Sequence, residues 1–143
     1  MEREFCASVF VVNPADLKIL LCHHKKFDRW VQPGGHIEKN EIPEETALRE
    51  VYEETGVRVK LIGERFPRED DYIRPLGIQR NRGKDGSLHV DITYVGIPLS
   101  KDEIIEDDEI DRCGWFSFEE LNDLNVFPDI KISFNYIINN IIK

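Results

Sequence analysis

The 143-residue sequence predicts an α+β fold built on a mixed β-sheet. Two observations lead to this prediction. Apolar, β-branched segments come first and one strong helix pattern follows, after which further strand candidates precede a helical C-terminal region. Length and composition, with 41% hydrophobic and 33% charged residues, are typical of one globular domain, which we expect to span residues 1–143.

The chain opens with a predicted β-hairpin. Residues 5–12 are apolar and β-branched, which favours a strand, and residues 13–16 read Asn-Pro-Ala-Asp, a turn-forming sequence. Residues 17–22 are apolar again and predict the returning strand. Trp30 and Val31 form a short extended piece that leads into residues 33–35, Pro-Gly-Gly.

The clearest helix is predicted for Pro43–Thr55. Proline is favoured in the first turn, where its missing amide hydrogen is not needed, and Gly56 stands where helices commonly end. Residues 57–62 then predict a strand. Residues 66–87 are polar and contain proline and glycine, so we expect mostly a loop there.

The last third of the chain is predicted to contain two strands and two helices. Residues 89–98 alternate well enough for a strand, residues 100–111 form an acidic loop, and residues 115–116 form a short strand. Ser117 and Glu120 have the spacing of a capping box that opens a short helix. A C-terminal amphipathic helix packed on the core is predicted from apolar residues at three- to four-residue spacing, namely Ile130, Phe134, Ile137, Ile138 and Ile141.

Charge and cysteine content restrict the partners. A net charge of −9 repels long nucleic acids, but a bound divalent cation could reverse the local sign for a small phosphorylated ligand. The three cysteines, Cys6, Cys22 and Cys113, lack metal-finger spacing and predict reduced thiols in the cytoplasm. We expect no membrane partner, since the sequence has no signal-peptide pattern and no apolar run near about 20 residues. The sequence does not define an oligomeric state.

The predicted helix concentrates carboxylates on one face. At about 100° per residue, Glu50, Glu53 and Glu54 fall together. Like charges four residues apart repel, and acidic residues near a helix C-terminus oppose the helix dipole. The opposite face, expected to hold the helix to the body, contains Leu48, Val51, Tyr52 and Thr55. The acidic face is therefore either solvated or offset by a bound cation.

A cation in this position would be a hard one. Oxygen ligands select Mg²⁺, Mn²⁺ or Ca²⁺ rather than Zn²⁺, and the sequence has no EF-hand loop to favour Ca²⁺. Gly34 and Gly35 precede the helix and allow the backbone to approach a ligand closely.

Residues 35–57 resemble the signature of the Nudix hydrolases, Gx5Ex7REUxEExGU, in which U is a bulky aliphatic residue. Every specified position is filled, by Gly35, Glu41, Arg49, Glu50, Val51, Glu53, Glu54, Gly56 and Val57. We refer to this stretch as the box. Residues 33–34 and 115–121 also resemble segments that flank the box in the family.

The resemblance implies a Nudix-type α/β/α sandwich with a mixed sheet. It also implies hydrolysis of a pyrophosphate bond in a nucleoside diphosphate linked to another moiety, with Mg²⁺ or Mn²⁺ as cofactor. The implied metal ligands are Glu50, Glu53, Glu54 and the carbonyl of Gly34. Arg49 would orient the carboxylates with Glu41.

The general base is left open by the resemblance. It is either a box glutamate, Glu50 or Glu53, or a glutamate of the acidic loop. The loop candidates are Glu106 and Glu109, ahead of Glu103, which lies nearest the preceding strand.

Four residues are candidates for substrate contacts. His36 adjoins Gly35, and Arg29 belongs to a basic patch early in the chain. Phe127 and Asp129 resemble a segment with which some oxidised-purine nucleotide hydrolases bind a base. The same two residues also fit a hydrophobic staple before a helix capped by Asp129, the interpretation we favour.

The expected substrate is a nucleoside di- or triphosphate, with dinucleoside polyphosphates and sugar nucleotides as alternatives. Two other classes of function remain: a catalytically silent Nudix-like ligand-binding module, and a Ca²⁺-binding or structural acidic module. Metal-dependent turnover distinguishes the enzyme from both.

Overall fold

A computed structural model describes residues 3–26, 28–68, 71–82, 88–99 and 110–142. The elements in chain order are β1 (Arg3–Asn13), β2 (Lys18–His24), β3 (Arg29–Val31), β4 (Gly34–His36), α1 (Pro43–Thr55), β5 (Val59–Ile62), β6 (Gly77–Arg82), β7 (Leu88–Pro98), β8 (Ile110–Phe116), a 3₁₀ helix (Glu119–Asp123) and α2 (Pro128–Asn140). Among the described residues, neither helix is long and apolar enough to cross a bilayer.

The long strand β1 organises the sheet. It runs parallel to β7 and antiparallel to both β2 and β4. Strands β5 and β6 pair antiparallel with β7, and β3 and β8 pair antiparallel with β2. Parallel and antiparallel pairs thus share one sheet, and the predicted mixed sheet is confirmed.

Alternate residues of β1 face two separate cores. Phe10 and Val12 are buried in a cluster with residues of α2, and Val9 and Val11 are buried in a cluster with residues of α1. The α2 residues are Ile130, Phe134 and Ile137, and those of α1 are Ala47 and Val51. A helix therefore covers each face of the sheet, which confirms the expected α/β/α arrangement.

Local signals define α1 at both ends. The Ile42 amide donates to the Glu45 side chain at 3.0 Å, and Pro43 occupies the first helical turn. Gly56 ends the helix in the left-handed region at φ 75°, with its amide donating to the Tyr52 carbonyl at 2.8 Å. The predicted bounds are confirmed.

Two strands extend into segments predicted as loops. Strand β6 lies within residues 66–87, and β8 begins at Ile110 rather than at Trp115. Strand β6 is mostly polar, and β8 has the charged pair Asp111 and Arg112 near its start, before its apolar end, so the hydrophobic pattern is weak in both segments. Backbone pairing with β7 and β2 stabilises them instead. Ile78 of β6, for example, is exposed rather than buried.

The predicted capping box forms, but it opens a 3₁₀ helix. The Ser117 amide donates to the Glu120 side chain at 2.9 Å, and the Glu120 amide donates to Ser117 Oγ at 3.2 Å. Helix α2 ends at Asn140, so Ile141 lies beyond it and is partly exposed, contrary to the prediction for that residue.

Candidate active site

Two glycines of β4 bring the sheet close to α1. Gly34 and Gly35 pair with Ser8 and Ala7 of β1, opposite the acidic side of the helix. A Cβ atom on Gly35 would lie 2.5 Å from the Glu50 carboxylate carbon, and one on Gly34 would lie 2.6 Å from the Ala7 carbonyl oxygen. Both distances are shorter than van der Waals contact. Glycine at position 35 therefore leaves room for the Glu50 side chain, and glycine at position 34 allows close pairing of β4 with β1.

Arg49 holds the carboxylates of the box together. Its Nε and Nη2 atoms donate to the two oxygens of Glu41 at 2.7 and 3.0 Å. Its Nη1 atom donates to Glu50 at 2.8 Å and to Glu53 at 3.2 Å. Nη2 also donates to the His36 carbonyl at 3.2 Å, which ties the network to β4. One planar guanidinium thus fixes three carboxylates, as the bidentate geometry of arginine allows.

The network shifts the ionisation of its members. Hydrogen bonds from Arg49 and then from Thr46 lower the pKa of Glu41 to about 2. The hydrogen bond to Glu41 is the largest cause that raises the pKa of Arg49 above its ordinary value. Both side chains are therefore charged at neutral pH.

Glu54 occupies a different position from its neighbours. It is 8% exposed, whereas the Glu53 side chain is 55% exposed and the Glu50 side chain 17%. On β8, the Cys113 thiol donates to the Glu54 carbonyl at 3.6 Å. The alternative of a fully solvated acidic face does not hold for Glu54, because this residue is turned toward the body of the protein.

The orientation of α1 differs in part from the prediction, made from helical periodicity, of which face contacts the body of the protein. Leu48 and Tyr52, assigned to the inner face, are both exposed, while Val51 and Thr55 are buried as expected. The helix is rotated so that Glu54 faces inward as well. This rotation follows from packing against the sheet, which a wheel drawn for an isolated helix does not include.

The donor set at this position fits a hard divalent cation. Three carboxylates lie within five helical residues, and the glycine pair makes space next to one of them. Within the described part of the chain, the side chains of Glu50, Glu53 and Glu54 do not form a group with ligand atoms inside 4.8 Å of one another. Glu54 faces inward whereas the Glu53 side chain is 55% exposed, so the three carboxylates do not all point toward one position.

A family model described as the NUDIX domain matches residues 3–136. The chain belongs to the NUDIX family. A hydrolase of the same family from Clostridium perfringens has a solved structure that superposes with a TM-score of 0.82 and 29% identity, covering 97% of this chain and 98% of that one. The predicted family and fold are therefore confirmed.

The chain matches two curated relatives over only part of the length of each relative. Diphosphoinositol polyphosphate phosphohydrolase 2 from Homo sapiens is 35% identical over 109 residues, which are 72% of this chain and 51% of that protein. An 8-oxo-(d)GTP phosphatase from Mycolicibacterium smegmatis is 26% identical over 117 residues, 82% of this chain and 32% of that protein. The chain thus spans about half or less of these relatives. At the level of the family the prediction of a hydrolase is confirmed, and the reaction of this protein is a matter for proposal.

The candidate substrate residues of the NUDIX domain lie in three places. The Arg29 guanidinium lies 4.8 Å from the centre of the Phe127 ring, so these two residues form one surface. Asp129 accepts a hydrogen bond from Gln79 of β6 at 2.7 Å. His36, on β4, contacts Glu4 at 2.6 Å and has a largely exposed side chain.

The expected helix cap at Asp129 is wrong. Phe127 occupies the N-cap position of α2, with no side-chain cap, and Asp129 lies in the first turn. Pro128 favours this start because it needs no amide partner in the first turn. The Asp129 carboxylate is therefore available to Gln79, a partner 50 residues away that the sequence did not indicate.

Two sets of residues remain: the predicted glutamates of the acidic loop and a residue of the site that was not predicted. Glu103, Glu106 and Glu109 lie outside the described residues, so the loop-base hypothesis stays a prediction from sequence. Sequence reasoning missed Thr46, whose hydroxyl donates to Glu41 at 2.7 Å. The turn before α1, where Asn40 has a φ of 70°, brings Glu41 back to Thr46, and no motif marks that turn.

We expect Glu41→Gln to lower the melting temperature at neutral pH, and the difference from wild type to shrink as the pH falls from 4.5 to about 2. Between these values the unfolded chain binds more protons than the folded one, because the pKa of Glu41 is lowered on folding. The stabilisation is thus complete above 4.5 and is lost as the pH falls through about 2. Melting curves across this range measure it, with exposed Glu64→Gln as control. A difference that does not change with pH would contradict the assignment.

Proposed function

We propose that this NUDIX domain is a divalent-metal-dependent hydrolase that cleaves a pyrophosphate bond in a nucleoside di- or triphosphate. The observation that carries the proposal is the Arg49 network, which holds Glu41, Glu50 and Glu53 beside the Gly34–Gly35 pair. Glu54, inward-facing and buried, supports it as a third carboxylate on the same helix, directly after Glu53.

The residues that would hold Mg²⁺ or Mn²⁺ are Glu50, Glu53, Glu54 and the carbonyl of Gly34. When bound, the metal supplies charge neutralisation for the phosphates and activation of water. Arg49 positions Glu50 and Glu53, and Glu41 positions Arg49. Within the box, Glu53 is better placed than Glu50 to accept a proton from water, because its side chain is far more exposed.

Two classes of substrate are supported by different observations. A nucleotide is supported by the paired Arg29 and Phe127, since an arginine on an aromatic ring offers both a stacking surface and a charge for phosphate. A diphosphoinositol polyphosphate is supported by the 35%-identical relative named for that activity. Dinucleoside polyphosphates and sugar nucleotides are further members of the nucleotide class.

A turnover screen tests the function and separates these substrates. Purified protein is incubated with each class in Mg²⁺ or Mn²⁺, and the products are separated and identified as phosphate, pyrophosphate, nucleotides, sugar phosphate or inositol phosphate. If the wild-type protein forms products in a metal-dependent way and faster than the Glu54→Gln variant does, the result supports the hydrolase. Binding of a substrate without turnover under any metal would indicate a ligand-binding module instead.

Bound metal should also stabilise the folded state. A cation that binds only the native protein stabilises it by about 2.7 kcal/mol at a hundredfold excess over its dissociation constant. We expect millimolar Mg²⁺ to raise the melting temperature of wild type but not of Glu54→Gln. Sodium chloride of equal ionic strength controls for screening, and an unchanged melting temperature in Mg²⁺ would argue against the site.

Single substitutions locate the general base. Glu103→Gln, Glu106→Gln and Glu109→Gln are compared, and one of the last two is expected to lose about 10²–10⁴ in rate if the base is in the loop. Loss of an exposed charge should change the rate by a small factor that fades with added salt. If all three variants keep more than about a tenth of wild-type turnover, well inside that range, the base is Glu53 or Glu50.

A reducing compartment such as the cytoplasm is supported by the thiols. None of the three cysteines, all of which lie in the described ranges, forms a disulfide, as expected for protein kept reduced. The negative charge of the chain favours small substrates over long nucleic acid as partners.

A further inference from the structure

A second group of metal-ligand side chains lies on three neighbouring strands. Cys6 of β1, His36 of β4 and His89 of β7 each offer one ligand atom, and the three atoms lie within 4.8 Å of one another. Strand register explains the convergence, because Cys6 pairs with His36 across one edge of β1 and Glu4 pairs with His89 across the other. Glu4 and Cys6, two residues apart, project from the same face of the strand.

Glu4 holds both imidazole rings. Its Oε2 atom lies 2.6 Å from His36 Nε2 and 2.9 Å from His89 Nε2. A neutral imidazole donates through one nitrogen and accepts through the other, so an Nε2–H bound to a carboxylate leaves the Nδ1 lone pair for a ligand. The His89 Nδ1 atom lies 4.0 Å from Cys6 Sγ. A carboxylate behind a histidine is the usual way in which metal-binding imidazoles are oriented.

The charge around the thiol also favours a cation. Burial, followed by the carboxylates of Asp91, Glu4 and Glu50, raises the pKa of the Cys6 thiol to about 12. The negative potential that opposes a thiolate there attracts a positive ion. A coordinated metal reverses the local balance and removes the thiol proton.

We propose that Cys6, His36 and His89 bind a borderline-soft divalent cation of the Zn²⁺ type, with Glu4 orienting the two rings. Sulfur and imidazole ligands select Zn²⁺ over Mg²⁺, which separates this cluster from the all-oxygen donors of the box. Tetrahedral Zn²⁺, with bonds of about 2.3 Å to sulfur and about 2.0 Å to nitrogen, places those atoms roughly 3.5 Å apart. The 4.0 Å between Sγ and Nδ1 is close to that spacing. Three protein ligands leave one position open to water.

Cobalt absorption tests the proposal independently of turnover. The full chain, reduced and in excess Mg²⁺, is titrated with Co²⁺, and thiolate-to-cobalt charge-transfer absorption is followed. We expect this absorption in wild type and in Glu54→Gln, its loss in Cys6→Ser, and its retention in Cys113→Ser, the matched control at another partly buried cysteine. Glu4→Gln should weaken Co²⁺ binding about 10–100-fold.

Two further measurements make the outcome decisive. Zn²⁺ should displace Co²⁺ and raise the melting temperature of wild type but not of Cys6→Ser, and His89→Gln replaces Cys6→Ser if that variant does not fold. Absorption that survives in Cys6→Ser, or that is absent from wild type, overturns the proposal. The Glu54→Gln variant retains the cobalt absorption only if the Cys6 cluster and the metal site of the box are separate. A negative cobalt result is therefore distinguishable from a negative result for the proposed hydrolase.

Discussion

Glu54→Gln is expected to reduce turnover by about 100-fold or more while leaving the fold intact. Loss of a residue that only orients a metal ligand already costs about 10–100-fold, and Glu54 is proposed as a ligand itself. The substitution removes one charge and almost no volume from a side chain that is 8% exposed. Rates at limiting and saturating Mg²⁺ measure the effect, and circular dichroism verifies the fold.

The matched control for this variant is Glu119→Gln. Glu119 is an exposed residue of the 3₁₀ helix, so the same loss of charge occurs away from the box. It should keep a rate close to wild type. A Glu54→Gln enzyme with a near-normal rate in limiting Mg²⁺ would remove Glu54 from the proposed ligands.

Gly35→Ala is expected to lower turnover by about 10²-fold with little loss of stability. The new Cβ would lie 2.5 Å from the Glu50 carboxylate, which is the flexible end of a side chain and can move away. The fold therefore accommodates the methyl group, but Glu50 leaves its place beside β4. A displacement of about 1 Å in a reacting group can cost about 10²-fold in rate.

Two other glycines serve as controls for Gly35→Ala. A Cβ on Gly77 would meet only Thr93 Oγ1 at 3.9 Å, so Gly77→Ala should leave both rate and melting temperature near wild type. A Cβ on Gly34 would lie 2.6 Å from the Ala7 carbonyl oxygen, an atom of the backbone, so Gly34→Ala should lower the melting temperature. If Gly35→Ala lowers the melting temperature but the folded variant keeps full specific activity, the assigned role of the glycine is wrong.

Local sequence was sufficient for α1 and for the box. Pro43 and Gly56 define the ends of the helix through backbone chemistry that involves only neighbouring residues. The spacing of the box residues identified the family, and the apolar patterns of β1, β2 and β7 predicted their positions to within a few residues. These features are readable because the interactions behind them span a few residues of chain.

The polar strands and the orientation of α1 were not readable in this way. Strand β6 has little apolar pattern, and its pairing with β7 stabilises it only after β7 is in place. The inward turn of Glu54 and the exposure of Leu48 depend on how the helix packs against the sheet. Helical periodicity gives the relative angles of side chains but not the rotation of the helix on its support.

Contacts between residues far apart in the chain are determined by the tertiary structure alone. Ser8 and Asp91, 83 positions apart, form a buried hydrogen bond of 2.9 Å because β1 and β7 pair in one register. The same register brings Cys6 and His89 together, although nothing in the flanking sequence of either residue marks a ligand. A shift of one residue would turn every side chain of a strand to the other face, so sheet register, which no local motif encodes, determines which of these groups meet.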